Sequence, residues 1–389
     1  MHWKAIDVPH WGARNCTVSA CVRTELRRSH RSGASNDEGN DIARSSTVNP
    51  PATARKVDLA LQGGGSHGAF TWGALDRLLE DETLDFAAVS GTSAGALNGA
   101  VMVTGHAHGG RSGARAALTA FWHDVSHSAS PFAPATGLFD FNRLPGFEWL
   151  GSLLRSFSPY EFNPFNLNPL RSLLARHVDL PALRDAPMRL FVTATSVHSG
   201  QAHVFSGSEL SLDALLASAC LPHLFQAVEI DGEPFWDGGY TGNPALFPLI
   251  YDTEALDLLL VKINPLVRKG TPRRSIDILD RLSEVTFNAS LVGEMRAIAF
   301  VSRLVREGRL DPGRYKDLRL HMIADDEGLA PFGAASKLDA SRPLLERLFA
   351  LGRAAAGRWL DAHGADVGVR GSLDIERSFL ARPAQPPAR

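Results

Sequence analysis

The serine at the centre of Gly91-Thr92-Ser93-Ala94-Gly95 is the first candidate for chemistry in this 389-residue chain. A G-x-S-x-G pentapeptide places its serine at the apex of a sharp strand-to-helix turn, and glycines flank it because larger residues would crowd the bent backbone. Ser93 would then stand at the positive end of a helix, where a developing alkoxide is favoured. A serine hydroxyl is a poor nucleophile without a base. A triad in the order serine, acid, histidine would draw on His321 or His363, but no motif surrounds either, and His321 falls in the alternating, strand-like stretch 318–323. Asp237 is the other candidate. It ends the aromatic run Phe235-Trp236-Asp237 before Gly238-Gly239, a turn that projects its carboxyl group at a sheet edge, although Asp-Gly is also an ordinary turn dipeptide.

Acyl transfer also needs donors for a tetrahedral oxyanion. Gly63-Gly64-Gly65-Ser66-His67-Gly68 offers them, because the amides of Gly63, Gly64 and Gly65 at the start of a helix are shielded by no side chain. The same residues also spell Gly63-x-Gly65-x-x-Gly68, a dinucleotide-binding pattern. That reading requires an acidic residue at the end of the second strand to hold a ribose. The second strand ends in Ser90-Gly91, with Asp81, Glu82 and Asp85 all before it, so the nucleotide reading fails its second requirement.

The elements that must position these groups read as strand 56–62, helix 69–81, strand 86–90 and a helix through about 103. Trp72, Leu75, Leu78 and Leu79 share one face of the first helix, with Asp76, Arg77 and Glu80 opposite. Strand, helix, strand, helix in this space is a βαβ unit, which demands a parallel sheet covered by helices. Further strands are expected at 188–195 and 256–263, with antiparallel edge pieces at 201–205 and at 228–236, turning at Asp231-Gly232. The expected fold class is therefore α/β, a three-layer α/β/α hydrolase with a mostly parallel central sheet and a helical C-terminal section. Residues 1–55 read as a disordered leader, 56–270 as the catalytic domain, 271–380 as helices packed on it, and 381–389 as a proline-rich tail.

Within the catalytic domain, 128–179 is dense in aromatics, including Phe139, Phe141 and Trp149, and reads as an insertion over the sheet end or as a satellite cluster. In the C-terminal section Ile278, Leu282, Val285, Ala289 and Val292 recur at spacings of four and three, which predicts a packed covering helix.

Composition narrows the function. With 40 Lys+Arg against 42 Asp+Glu the formal charge is −2, which argues against a nucleic-acid binder that works by neutralising phosphates. Hydrophobic residues at 44% and charged ones at 21% suit a chain with a sizeable core. Cys16, Cys21 and Cys220 are too few for a disulfide framework or a paired-cysteine zinc site, and suit a reducing compartment. The first residues form no signal-peptide apolar core, so a cytoplasmic location is expected. Residues 86–105 carry no formal charge over a bilayer-spanning length, but their glycine and serine cluster reads as a turn.

Taken together, the glycine-rich 62–68, the elbow 91–95, Ala217-Ser218-Ala219-Cys220-Leu221-Pro222 and Asp237-Gly238-Gly239 resemble, in order and context, the patatin-like phospholipases over about 57–249. The resemblance implies a Ser93–Asp237 dyad without histidine and an oxyanion hole from Gly63, Gly64 and Gly65. Gly68, Gly91, Gly95, Gly238 and Gly239 would support the motifs. It also implies hydrolysis of lipid acyl esters, with no metal or organic cofactor. Any membrane contact is expected to be peripheral, through the aromatic insertion. An aspartate with a pKa near 3.9 is a weak base at neutral pH. Burial near Phe235 and Trp236 is therefore expected to raise that of Asp237. His67 stands where the family commonly has Lys or Arg, which predicts a site without a fixed positive charge beside it and puts a preference for anionic headgroups in question. Two alternatives remain open at this point. One is a hydrolase of another ester, such as an aliphatic polyester or a glyceride; the other is a nucleotide-binding or catalytically silent regulatory protein.

Overall fold

A computed structural model describes residues 54–129, 158–268 and 270–381. The expected leader, save its last two residues, and nearly all of the proline-rich tail lie outside them. So does the core of the aromatic insertion, with Phe139, Phe141 and Trp149.

Strand β1 (Arg55–Leu61) leads through the glycine loop into α1 (Gly68–Leu78), and β2 (Leu84–Thr92) leads through the serine turn into α2 (Ala94–Ala129). Short helices α3 (Pro159–Phe162), α4 (Pro169–His177) and α5 (Leu180–Asp185) precede β3 (Arg189–Ser196) and β4 (Ala202–Ser206). Then come α6 (Leu212–Ser218), β5 (Val228–Ile230), β6 (Glu233–Asp237), α7 (Phe247–Tyr251), β7 (Asp257–Val261) and α8 (Ser275–Arg306). Strand β8 (Arg319–Ile323), α9 (Asp326–Leu329) and α10 (Arg342–His363) follow.

The strands form one sheet in which β3, β2, β1, β7 and β8 are successive parallel neighbours, while β4 and β6 pair antiparallel with β3 and β5 pairs antiparallel with β6. Period-two alternation divides the strands between two cores. Leu59, Leu61, Val89, Leu259 and Val261 face α1, α2 and α10, whereas Ala60, Ala88, Leu258 and Leu260 face α7 and α8 through Leu246, Leu291 and Met295. This is the expected three-layer α/β/α arrangement. The β5–β6 hairpin turns at Asp231 and Gly232, both with positive φ (51° and 82°), as a two-residue hairpin of right-handed twist requires.

Three expectations are corrected. Asp76 was placed on the solvent side of α1, but α10 crosses that helix so closely that β-carbons on Gly73 or Gly352 would overlap the facing backbone. Asp76 is consequently buried and held by Arg115 at 2.8 Å and by Arg353. Helix α2 does not stop near 103. It bends at Gly109 and Gly110, and its second half returns along the first, with Trp122 Nε1 donating to Asn98 Oδ1 at 2.9 Å. Helix α8 does cover the sheet, but not with its heptad row: Ile278, Leu282 and Val285 are exposed, while Glu284, Phe287, Asn288, Leu291 and Met295 turn inward. Polar groups win the inner face because they are needed around the glycine loop.

Candidate active site

The sheet itself brings the two motifs together. Strand β4 occupies one edge of β3 from Phe191 to Thr195, so β2 and β6 must both lie on the other edge. They meet there end to end: Thr92 pairs with Thr193, and Asp237 pairs with the next residue, Ala194. Ser93 therefore leaves β2 at the point where Asp237 ends β6.

Ser93 takes φ +53°, a left-handed conformation that costs a non-glycine residue about 1–2 kcal/mol. Its surroundings hold it there. The Ser93 amide donates to Ser218 Oγ at 2.9 Å, and Ser218 Oγ donates to the Thr193 carbonyl at 2.6 Å. Ser218 ends α6, a helix capped at its start by Ser211, whose Oγ accepts from Ala214 N. Thr92 Oγ1 donates to Gly242 O at 2.6 Å, fixing the strand end on the other side. Gly95 is required by contact, since a β-carbon there would overlap the Leu61 carbonyl, and Gly91 backs onto the Gly95–Ala96 peptide. Gly68 serves the same purpose where α1 and α2 start side by side, 2.7 Å from Ala94 Cβ if a β-carbon were present.

Asp237 is fully buried. Its amide donates to Cys220 O at 2.7 Å, its carbonyl accepts from Thr195 Oγ1 at 2.8 Å, and its Oδ1 accepts from Gly239 N at 2.8 Å. Oδ2 has no hydrogen-bond partner. Ser93 is nevertheless near enough for its hydroxyl to favour the ionised carboxyl group, as does the charge of Lys337. Burial outweighs both and raises the Asp237 pKa from 3.8 to about 7. Of the two aromatic neighbours expected to screen it, only Phe235 shares its face of the strand; Trp236 points the other way. Gly238 lies against Thr193 O and Thr92 Cγ2, and Gly239 lies under the Phe287 ring of α8, so a side chain at either would push β6 away from β2.

The glycine loop differs from expectation at one position. Gly63 N donates to Asn243 Oδ1 at 2.6 Å and is spent on structure, whereas among the described residues the amides of Gly64 and Gly65 donate to no protein acceptor. A buried amide network sets the loop. Gln62 Oε1 accepts from the amides of Ile263 and Asn264 at 2.9 and 3.0 Å, and Gln62 Nε2 donates to Asn288 Oδ1 at 3.2 Å. Asn264 Nδ2 closes it by donating to Gly63 O at 2.7 Å. Gly63 must be glycine because a β-carbon would stand 2.7 Å from Ser93 Cβ.

His67 is buried, hydrogen-bonded to Ser336 Oγ at 2.7 Å and edge-on to Phe332. Burial, then the charges of Lys337 and Arg268, push its pKa down to about 3, so it is a neutral packing residue. The expected lack of a fixed positive charge is nonetheless wrong. Lys337, from the 3-10 turn Ala334–Leu338, brings an ammonium to the loop and donates from Nζ to Asn264 Oδ1 at 2.8 Å.

Neither candidate histidine approaches Ser93. His321 lies on β8, three strands from β2, about 14 Å by strand spacing. It is buried between Asp257 Oδ1 at 3.1 Å and Ser372 Oγ at 2.9 Å. His363 ends α10 and bonds Asp366. Ser218, Asn243, Asn264, Asn288 and Lys337 were missed by sequence reasoning; the only signal was the run 217–222, whose Ser218 and Cys220 hold the serine turn and the aspartate.

The family model for patatin-like phospholipase matches residues 59–250. Among solved structures, VipD from Legionella pneumophila is similar at 12% identity and a TM-score of 0.36, over 85% of this chain and 73% of that one. The heterodimeric complex ExoU–SpcU from the type III secretion system of Pseudomonas aeruginosa is similar at 17% identity and a TM-score of 0.32, over 84% and 58%. No curated protein matches. Among the described residues no helix is long and apolar enough to cross a membrane.

Proposed function

This chain belongs to the patatin-like phospholipase family through residues 59–250, and from that premise we propose that it cleaves acyl esters of glycerophospholipids or lysophospholipids with a Ser93–Asp237 dyad. One observation carries the proposal: a serine held at φ +53° meets a fully buried carboxyl group whose Oδ2 has no partner.

Ser93 Oγ attacks the ester carbonyl carbon as its proton passes to Asp237 Oδ2, and the carbonyl electron pair moves onto oxygen. The amides of Gly64 and Gly65 receive that oxyanion, already oriented and without a competing acceptor. The N-terminal end of α2 adds its dipole beneath Ser93. The tetrahedral species then expels the glycerol oxygen, which takes the proton from Asp237 and leaves as an alcohol. In the second half, water attacks the acyl-Ser93 carbonyl and gives its proton to Asp237, which returns it to Ser93 Oγ as the fatty acid departs. A carboxyl group with a pKa of about 7 is partly ionised at neutral pH and far more basic than an exposed aspartate.

The test is hydrolysis of short-chain phosphatidylcholine and p-nitrophenyl butyrate by wild type, Ser93→Ala and Asp237→Asn. Both variants are expected to lose about a thousandfold or more in kcat while keeping the wild-type circular dichroism. Ser93→Ala with near wild-type turnover would reject the assignment.

A further inference from the structure

Lys337 lies outside residues 59–250, yet three contacts fix it at the site. Its carbonyl lies against the glycine loop, where a β-carbon on Gly65 would overlap it. Its Nζ donates to Asn264 Oδ1 at 2.8 Å, and Asn264 Nδ2 donates to Gly63 O at 2.7 Å. The same ammonium stands 6.0 Å from the centroid of the Phe287 ring, the ring that covers Gly239 beside Asp237. The charge is thus held between the glycine loop and the Asp237–Gly239 turn.

Cationic side chains gather at that position. Arg268 and Arg281 both pair with Glu284, at 2.7 and 3.1 Å, and the charge of Lys337 acts on the same carboxylate. Lys262, whose Nζ donates to Asn264 O at 3.4 Å, is bonded to Asp326. Burial pushes Cys220 and Tyr240, which feel Asp237, up to about 12, and His67, which feels Lys337, down to about 3, so these three groups carry no charge near neutrality.

We propose that Lys337 is the substrate-charge selector of this site: its ammonium favours acyl esters that carry an anionic phosphodiester over neutral glycerides of the same acyl chain. The inference rests on the hydrolase reading above and names the substrate class within it. The phosphodiester of a glycerophospholipid lies a few bonds from the scissile ester, so a cation between the oxyanion donors and the base is placed to meet it. The ammonium also favours the ionised form of Asp237. Lys337 therefore acts on the base as a positioning charge, and neutralising it moves the base toward higher pKa.

The experiment compares full-length wild type, Lys337→Met and Lys337→Arg on dihexanoylphosphatidylglycerol and dihexanoylglycerol, which share acyl chains and differ in charge. The wild type is expected to prefer the anionic ester. Lys337→Met should lower the ratio of the two kcat/KM values about tenfold, and Lys337→Arg should keep it within about twofold. The pH–rate profile of Lys337→Met on the neutral ester should move to higher pH, a change that a merely structural role would not produce. Raising the salt from about 0.05 to about 0.5 M should lower the wild-type ratio, and this holds the test open if the methionine variant does not fold. An unchanged ratio in folded Lys337→Met, or a wild-type ratio indifferent to salt, overturns the proposal while leaving the hydrolase reading intact. A wild type inactive on both esters overturns both.

Discussion

Replacing Asp237 by Asn should change stability in a way that depends on pH, and the structure sets the sign and the ceiling. Burial raises the Asp237 pKa from 3.8 to about 7, against the pull of Gly239 N–H, Ser93 and Lys337. Between those values the folded protein keeps a proton that the unfolded chain has lost, so stability falls as pH rises. The contribution is present in full below about pH 4 and is gone above the folded pKa. Three pKa units correspond to about 4 kcal/mol at most. Asparagine keeps the acceptor for Gly239 N and has no charge to bury. Relative to wild type, Asp237→Asn should therefore gain up to ~4 kcal/mol of stability between pH 4 and pH 8. Asp58, raised to about 6, and Glu294, raised to about 7, act with the same sign, but both are present in either protein and cancel in the difference. Urea unfolding at constant ionic strength across that range measures it. A difference that stays flat, or that shrinks toward high pH, would refute the claim that Asp237 is a desolvated carboxylate.

Other outcomes follow from the same geometry. The kcat/KM of ester hydrolysis should rise through a midpoint near pH 7 as Asp237 ionises, which a pH–rate profile checks. Ser93→Gly should be more stable than Ser93→Ala by ~0.5–1 kcal/mol in urea unfolding, because only the alanine keeps a β-carbon at φ +53°. Ser218→Ala removes the acceptor of Ser93 N and a donor to Thr193 O; calorimetry should show a loss of about 1–3 kcal/mol, and kcat should fall with it. His321→Ala should lower the Tm by disturbing the buried Asp257–His321–Ser372 chain, yet leave kcat within about threefold, since His321 is not the partner of Ser93.

Short-range chemistry was legible in the sequence, and long-range chemistry was not. Gly91 to Gly95 read as a strand-to-helix turn because glycine tolerates close approach, and the structure shows Gly95 pressed on the Leu61 carbonyl. The alternation of β1 and β7 and the Asp231-Gly232 turn were equally visible, being set by neighbours in sequence. Lys337 was invisible: it meets Asn264, 73 positions away, and nothing near it in sequence marks it as part of a site. Asn243 likewise takes the Gly63 amide from 180 positions off, which turned one expected oxyanion donor into a structural bond. The heptad row of α8 misled for a related reason. Periodicity finds an apolar stripe but not which face is needed elsewhere, and here Asn288 had to reach Gln62. In α1 the charged Asp76 was read as outward because its partner Arg353 lies 277 positions further on.

The proposed hydrolysis requires Ser93 to be a nucleophile activated by the carboxyl group facing it. Fluorophosphonate labelling of the full-length protein, mapped by peptide mass spectrometry across a pH series, addresses this directly. A single adduct on Ser93, forming faster as pH rises through about 7 and abolished in Asp237→Asn, is the predicted result. An unlabelled Ser93, or labelling that proceeds equally well without the Asp237 carboxyl group, would contradict it.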